Sequence, residues 1–229
     1  MASTTPIAVI IPAAGFGQRM SSDTAKQFIR VAGKTILAHT VDKIHAWAKG
    51  YHHHVIIMVA LSEGVRLPAD VTGVHTCTGG QERADSVANA LDTLADLHPT
   101  HPPQWVMVHD AARPLVCIED IEKLYQHLKN NAIGGILAEK ITATVKKVDG
   151  DIITATVPRQ DLWLAQTPQL FRFELLQQAL QGQRSHLTDE ASAIEAMGLP
   201  VKIIEGSRNN IKITVAEDLH FFSEQIGKY

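Results

Sequence analysis

Short apolar runs alternate along this chain with longer stretches in which apolar residues recur at helical spacing. The runs are rich in β-branched residues and have the length of buried strands; they lie at 7–11, 55–60, 74–77, 105–109 and 134–138. Between the first two runs, Leu37, Val41 and Ile44 fall on one face of a helix, and similar stripes follow the third and fourth runs. This alternation predicts an α/β fold with a mainly parallel, twisted sheet flanked by helices.

A different pattern occupies 141–157, where many β-branched residues surround the dipeptide Asp149-Gly150. Asp-Gly between two such runs is a strong signal for a β-hairpin, so we predict an inserted β-arm at about 139–158. An isolated two-stranded ribbon is marginally stable in water, and we therefore expect the arm to dock on a second subunit. Without a composition shift or an internal repeat, 1–229 is expected to form one domain.

The last third of the chain predicts several short elements. We expect a strand at 162–166, a turn into a helix at 167–169, and a further helix that starts at Thr188-Asp189-Glu190 and ends at Gly198. Two short strands are expected at 201–205 and 211–213, followed by a final helix opened by a capping box, Thr214 to Glu217.

The composition narrows the class of protein. Of 229 residues, 45% are hydrophobic and 20% charged, which is typical of a globular chain, and the formal net charge of -3 argues against a general nucleic-acid binder. Cys77 and Cys117 are too few for a disulfide framework and are expected to be buried thiols. His52, His53 and His54 cannot converge on one metal from an extended chain, and we expect them to form a solvated approach to the next strand. No leader or apolar run of about 18 residues is present, so a cytoplasmic protein without a membrane partner is expected.

A loop of small residues follows the first strand and is followed in turn by two cations, Arg19 and Lys26. Its residues, Pro12, Ala13, Ala14, Gly15 and Gly17, leave backbone N–H groups accessible, and this predicts a polyphosphate site. Met20 stands where a dinucleotide-binding G-x-G-x-x-G/A loop needs a third small residue, and no P-loop pattern is present. A nucleoside triphosphate held by another kind of loop is therefore favoured.

Further polar residues follow other predicted strands, where ligands bind in open parallel sheets. Gly79-Gly80 with Arg83 and Ser86 follows the third strand, His109, Asp110 and Arg113 follow the fourth, and Lys212 lies near the end of the last. No pairing of a nucleophile with a base is evident. The pattern favours nucleotidyl transfer, in which a phosphate monoester attacks the α-phosphorus of a nucleotide and Mg²⁺ binds the phosphates.

The longer motifs resemble those of the 2-C-methyl-D-erythritol 4-phosphate cytidylyltransferases. The resemblance spans essentially the whole chain and rests on P-A-A-G-F-G-x-R-M with Lys26-Gln27, G-G-x-E-R-A-D-S-V at 79–87, V-H-D-A-A-R-P at 108–114, T-P-Q at 167–169, T-D-E-A-S-A at 188–193 and N-I-K-I-T at 210–214. It implies transfer of CMP from CTP to 2-C-methyl-D-erythritol 4-phosphate in the non-mevalonate isoprenoid pathway. It also implies a Mg²⁺-dependent homodimer with a Rossmann-like core and an exchanged β-arm.

The resemblance also assigns roles to individual residues. The implied nucleotide-binding residues are Pro12, Ala13, Ala14, Gly15, Gly17, Gly80, Arg83, Ser86, Asp110 and Ala111; the catalytic residues are Arg19, Lys26, Arg159 and Lys212; and the residues that bind the polyol phosphate are Asp110, Arg113, Thr144, Arg159, Thr167 and Lys212. Mg²⁺ is expected mainly on the CTP phosphates, with Asp110 as the possible protein ligand. The arm departs from the family pattern P-x-x-D-T-x-K at Lys140 and Ala143, which leaves its local contacts open.

Three alternatives remain at this point. A cytidylyltransferase for another polyol phosphate, such as ribitol 5-phosphate, shares the glycine loop and the arm. A dinucleotide-dependent oxidoreductase is disfavoured by Met20 and by the pair Arg19 and Lys26. A non-catalytic nucleotide sensor would not need Lys26, Asp110 and Lys212 together.

Overall fold

The computed structural model describes residues 6–15, 25–182, 184 and 186–226. Its strands are β1 (Ile7–Pro12), β2 (Arg30–Val31), β3 (Lys34–Thr35), β4 (Val55–Leu61), β5 (His75–Thr78), β6 (Trp105–Val108), β7 (Gly134–Lys140), β8 (Val145–Asp149), β9 (Ile152–Val157), β10 (Trp163–Arg172) and β11 (Lys202–Glu205). Its α-helices are α1 (Ile36–Gly50), α2 (Arg83–Leu97), α3 (Ile118–Leu128), α4 (Phe173–Ala179), α5 (Glu190–Ala196) and α6 (Ala216–Ile226), and a short 3₁₀ helix spans Lys26–Phe28.

Seven strands form the central sheet in the order β11-β7-β10-β6-β1-β4-β5. The pairs β1–β4, β1–β6, β4–β5 and β7–β11 are parallel, and β10 alone among these strands runs antiparallel to both of its neighbours, β6 and β7. The prediction of a mainly parallel sheet is confirmed. The carboxyl ends of β1, β4 and β6 meet at one edge, where the polar motifs of the sequence follow.

Helices cover both faces of this sheet because successive strand residues point to opposite sides. On one face, Val9 and Ile11 of β1 pack with Trp47 of α1 and the apolar side of α3. On the other face, Ala8 and Ile10 pack with α2, α4 and α5. The central strands β1, β4 and β6 are buried on both sides, which explains their continuous apolar runs.

The predicted hairpin is confirmed: β8 and β9 form a separate two-stranded antiparallel sheet, joined by a turn at Gly150 and Asp151. Its apolar side chains do not reach the core of the chain that carries them. Val148, Ile152 and Ile153 are 57%, 71% and 59% exposed. The docking of this arm on a second subunit stays a prediction.

The predictions for the last third of the chain need three corrections, of which the first two concern 167–169 and 211–213. The segment 167–169 does not turn into a helix: β10 continues to Arg172, with Gln169 paired to both β6 and β7, and a register shift between Ala165 and Gln169 accommodates Pro168, which has no N–H to donate. The segment 211–213 is not a strand, because the N–H of Ile213 donates to the carbonyl of Ala112 and its side chain packs into a small core with Phe222.

The final helix is capped one residue later than predicted. The carboxylate of Asp218, and not that of Glu217, accepts from the N–H and hydroxyl of Thr214 and from the N–H of Val215, at 2.7, 2.8 and 3.0 Å. These bonds satisfy N–H groups that lack a partner at the start of a helix. They hold the pKa of Asp218 below its ordinary value although partial burial acts in the opposite direction.

Two expectations about isolated residues are also wrong. Cys77 and Cys117 are only partly buried. His52 and His54 are exposed as expected, but His53 is not a solvated residue: its Nε2 lies 2.8 Å from the carboxylate of Glu122, and its ring packs against Trp47 and Tyr125. Among the described residues, no helix is long and apolar enough to cross a membrane.

Candidate active site

A cavity of about 480 Å³ opens at the carboxyl edge of the sheet, beside the loop that follows β1. Gln27 of the 3₁₀ helix shapes this loop, because its Nε2 donates to the carbonyls of Ala13 and Gly15 at 2.7 and 3.0 Å. From the end of β4, the hydroxyl of Ser62 donates to the carbonyl of Ala14 at 2.6 Å. Gln27 and Ser62 therefore hold the loop from two sides through bonds to its carbonyl oxygens.

Gly80 lines the cavity, and neither Gly80 nor the preceding Gly79 could be replaced by a residue with a side chain. A Cβ on Gly79 would lie 2.5 Å from the Cβ of Ala14 and 2.8 Å from the Oγ of Ser86, and a Cβ on Gly80 would lie 2.2 Å from the Cβ of Asp85. The N–H of Gly80 donates to the Oγ of Ser86 at 3.1 Å. The absence of side chains at these two positions therefore lets the turn pack closely against Ala14 and the start of α2, beside the cavity.

Asp110 is the centre of a charge cluster at the floor of the cavity. Its Oδ1 accepts from Nε of Arg83 at 2.9 Å, and its Oδ2 lies 2.9 Å from Nζ of Lys212 and 3.6 Å from Nε of Arg113. Burial by itself would raise the pKa of Asp110, but the three cations hold that pKa far below its ordinary value. Asp110 is therefore ionised near pH 7.

Glu190 completes the cluster and was not predicted as a site residue. Its carboxylate accepts both terminal nitrogens of Arg83, at 2.6 and 3.0 Å, while its side chain is only 2% exposed. Burial raises the pKa of Glu190 above its ordinary value, and the charge of Arg83 opposes that rise. Burial would lower the pKa of Arg83, but the carboxylates of Glu190 and Asp110 raise it above its ordinary value. Glu190 appeared in the sequence only as an acid at the start of a helix, although it belongs to the motif T-D-E-A-S-A.

A second cavity of about 240 Å³ lies on the other side of the cluster. It is lined by Arg83, Asp110, Arg113, Ala165, Gln166, Thr167, Gln169, Thr188, Asp189 and Lys212. Arg83, Asp110 and Lys212 line both cavities, so the two spaces meet at the charge cluster. Two anionic molecules placed in them would meet where the cations are concentrated.

Most of the predicted site residues are brought together here. The first cavity is lined by Pro12, Ala13, Ala14, Gly15, Lys26, Gly80, Arg83, Ser86, Asp110, Ala111 and Lys212, and the second by Asp110, Arg113, Thr167 and Lys212. Thr144 and Arg159 are exposed, at the two ends of the arm, and line neither of these cavities. Gly17, Arg19 and Met20 lie outside the described residues.

The described side chains offer limited ligation for a metal. They contain no group of three or more His, Cys, Asp or Glu residues arranged to hold an ion. Asp110 is a hard oxygen donor at the edge of the first cavity. One carboxylate is enough for Mg²⁺ when nucleotide phosphates and waters supply the other ligands, so the residues present fit an ion carried by the nucleotide.

Comparisons with known proteins agree with this geometry. The family model for 2-C-methyl-D-erythritol 4-phosphate cytidylyltransferase matches residues 7–226. A relative of that name from Pseudoalteromonas translucida is 50% identical over 228 residues, covering 96% of this chain and 90% of its own, and one from Pseudomonas putida is 40% identical over 226 residues, covering 94% of each. The crystal structure of the Francisella tularensis protein of that name is 37% identical, with a TM-score of 0.76, over 96% of this chain and 100% of that one. A crystal structure of 4-diphosphocytidyl-2C-methyl-D-erythritol synthase is 32% identical, with a TM-score of 0.83, over 97% of this chain and 99% of that one. This chain belongs to the 2-C-methyl-D-erythritol 4-phosphate cytidylyltransferase family.

Proposed function

We propose that this protein transfers CMP from CTP to 2-C-methyl-D-erythritol 4-phosphate, giving 4-diphosphocytidyl-2-C-methyl-D-erythritol and pyrophosphate. The observation that carries the proposal is the pair of cavities that meet at Arg83, Asp110 and Lys212. The first is lined by the small-residue loop and by Gly80, which suits a nucleotide. The second is smaller and polar, which suits a short polyol phosphate.

The chemistry needs no nucleophile from the protein. An oxygen of the acceptor phosphate forms a bond to the α-phosphorus of CTP, and the bond from that phosphorus to the bridging oxygen of the β-phosphate breaks. Pyrophosphate leaves with the electron pair, and no proton must be removed from an acceptor that is largely dianionic near pH 7. The task of the protein is to bring two anions together and to stabilise the charge that develops.

Two lysines lie where this charge develops. Lys26 lines the nucleotide cavity, and the ammonium group of Lys212, held by Asp110 at 2.9 Å, lines both cavities. We assign Lys26 to transition-state stabilisation and Lys212 to orienting the acceptor phosphate. Arg19, assigned with Lys26 by resemblance, lies outside the described residues.

Mg²⁺ belongs to the proposal as a partner of the CTP phosphates. When bound, it neutralises charge on the triphosphate and on the leaving pyrophosphate. Asp110 is the residue of the cluster that could supply an oxygen ligand, while Arg83 and Lys212 fix the direction of its carboxylate. The metal requirement is checked by loss of activity in EDTA and its return with added Mg²⁺.

We also propose a homodimer in which the arm completes the acceptor site of the partner subunit. Two observations support it: the exposed apolar side chains of β8 and β9, and the position of Thr144 and Arg159 outside the cavities of their own chain. Docking would cover the apolar side chains and remove the cost of their exposure. Among the residues assigned to catalysis, Lys212 is the one that lines the second cavity within the described part of the chain. Docking of the arm would add Arg159 of the partner subunit as a second cation for the acceptor phosphate.

The proposed activity is tested by measuring pyrophosphate release from CTP with a panel of polyol phosphates. We expect the highest kcat/KM with 2-C-methyl-D-erythritol 4-phosphate, and a much lower value when UTP replaces CTP. The N4 amino group of cytosine donates where O4 of uracil accepts, so uracil would leave buried polar groups unpaired. A higher kcat/KM with ribitol 5-phosphate would overturn the choice of acceptor. If none of the polyol phosphates in the panel supported pyrophosphate release, the transfer reaction itself would be overturned.

A further inference from the structure

His109 is a buried titratable residue that the proposed chemistry does not use. It directly follows β6, its N–H donates to the carbonyl of Ile10, and its side chain is fully buried. It lines neither of the two cavities of the site. It nevertheless stands between two elements that do line the acceptor cavity, the turn to Arg113 and the middle of β10 at Thr167.

Only one assignment of donors and acceptors satisfies all the hydrogen bonds around this ring. Nε2 of His109 lies 3.1 Å from the carbonyl oxygen of Arg113, which can only accept, so Nε2 carries the proton. Nδ1 of the neutral ring is then an acceptor, and the hydroxyl of Thr167, 3.0 Å away, donates to it. The same hydroxyl oxygen accepts the N–H of Asp110 at 3.0 Å. One ring thus fixes the turn at Arg113, the hydroxyl of Thr167 and, through that hydroxyl, the backbone of Asp110.

The charges near the ring favour this neutral state. Burial is the largest effect and, with Arg113 and Arg83 nearby, lowers the pKa of His109 to about 4, although Asp110 and the bond to the Arg113 carbonyl act in the opposite direction. A protonated ring would place an N–H against the hydroxyl hydrogen of Thr167 and would force that hydroxyl to turn. The contacts of the two ring nitrogens by themselves therefore require the neutral ring.

We infer that His109 is a positioning residue that fixes the acceptor half of the site through Arg113 and Thr167. Both of these residues line the second cavity and not the first. Loss of either bond should therefore weaken binding of the polyol phosphate much more than binding of CTP, whose cavity the ring reaches only through the backbone of Asp110. The inference rests on the proposed transfer reaction, with the acceptor taken as whichever polyol phosphate the wild-type protein uses.

Two substitutions separate the two bonds. The side-chain oxygen of His109→Asn can replace Nδ1 as acceptor for Thr167, but the side chain is too short to reach the carbonyl of Arg113. The amide of His109→Gln can replace the Nε2 donor to Arg113 and leaves Thr167 without its acceptor. For each variant we expect the KM of the acceptor to rise about tenfold, as for loss of one buried hydrogen bond, and the KM of CTP to stay within about twofold.

A matched control removes the same kind of bond elsewhere. Nε2 of His45 lies 3.1 Å from the carbonyl oxygen of Thr72, away from both cavities, so His45→Asn should change neither KM. Combining His109→Asn with Arg113→Lys gives a second readout. If His109 acts through Arg113, the double variant should have an acceptor KM no higher than that of Arg113→Lys alone.

The outcomes decide the inference whether or not each variant is stable. Equal increases in both KM values, or an acceptor KM within twofold of wild type in a folded variant, would overturn it. If His109→Asn does not fold, His109→Gln carries the same comparison, because Thr167 also lines only the acceptor cavity. Failure of the wild-type protein to use any polyol phosphate would count against the transfer reaction and would be seen before any variant is made.

Discussion

Substitution of Glu190 by Gln tests whether the charge cluster is built on an ionised buried carboxylate. Two nitrogens of Arg83 approach the two oxygens of Glu190 at 2.6 and 3.0 Å, and this geometry requires both oxygens to accept. Gln keeps the shape of Glu but offers one acceptor and places an N–H₂ group against the guanidinium. Arg83 would then have Asp110 as its only carboxylate partner among the described residues.

The cost follows from burial. Removing one partner of a buried ion pair destabilises a protein by roughly 3–5 kcal/mol. The side chain of Arg83 is 27% exposed and keeps its bond to Asp110, so water and Asp110 offset part of the loss. Burial also raises the pKa of Glu190, so part of the cost of its charge disappears with Gln, and we expect about 2 kcal/mol, below that range. For a chain of this length, each 1 kcal/mol corresponds to about 2–4 °C in Tm, so Tm should fall by roughly 4–8 °C.

The measurement is urea unfolding of wild type, Glu190→Gln and Glu195→Gln, with thermal unfolding as a second readout. Glu195 lies on the same helix, α5, but is exposed, so its substitution should stay within about 0.5 kcal/mol of wild type. The midpoint for Glu190→Gln should fall while the slope of the transition stays constant. A loss of less than 1 kcal/mol would mean that Glu190 is protonated in the folded protein, and the argument from its bonds to Arg83 would be wrong.

Three further predictions follow from the site and the arm. Lys26→Ala should lower kcat by about 10²–10³-fold and change the KM of CTP much less, as measured by steady-state kinetics, since Lys26 is assigned to charge that appears only during transfer; an unchanged kcat would exclude this role. As the pH falls from about 6.5 to about 4, the free energy of unfolding of wild type should decrease by about 3 kcal/mol more than that of His109→Asn. In this range the unfolded state binds a proton on His109, whereas the folded state, in which the pKa of His109 is about 4, does not. Parallel curves of urea midpoint against pH for the two proteins would contradict this prediction. Mixing an inactive Thr144 variant with inactive Lys26→Ala should restore about a quarter of wild-type activity, because about half of randomly paired dimers are mixed and each has one intact site of two; no recovery after demonstrated subunit exchange would mean that each site is built within one chain.

The features that the sequence predicted well are local ones. The β–α rhythm appears as strands of the expected length because both faces of the central strands are buried, and Gly80 is needed because a Cβ there would clash with Asp85, five residues away. Even the hairpin at Asp149-Gly150 is encoded within a few residues. In each case the interaction that decides the structure lies close in the chain or follows from the periodicity of a single element.

The features that it predicted poorly depend on distant partners. The extent of β10 is decided by pairing with β6 and β7, whereas Thr167-Pro168-Gln169 locally resembles a turn. Glu190 meets Arg83, 107 residues away, and His109 meets Thr167, 58 residues away. The position of Lys212 was predicted for the wrong reason, since it lies in an irregular segment beside the pairing of Ile213 with Ala112 and not at the end of a strand.

The three residues that line both cavities, Arg83, Asp110 and Lys212, have a consequence for inhibition. A bisubstrate inhibitor, in which a cytidine and a short polyol are joined by an anionic linker, would cross Arg83, Asp110 and Lys212 and would gain affinity from the high effective concentration of its second half. A resistance substitution at one of these three residues would also impair the binding of both natural substrates. Residues that line only one cavity, such as Gln81 or Gln166, could change with less loss of substrate binding. Such a compound should therefore make its strongest contacts with the three shared residues.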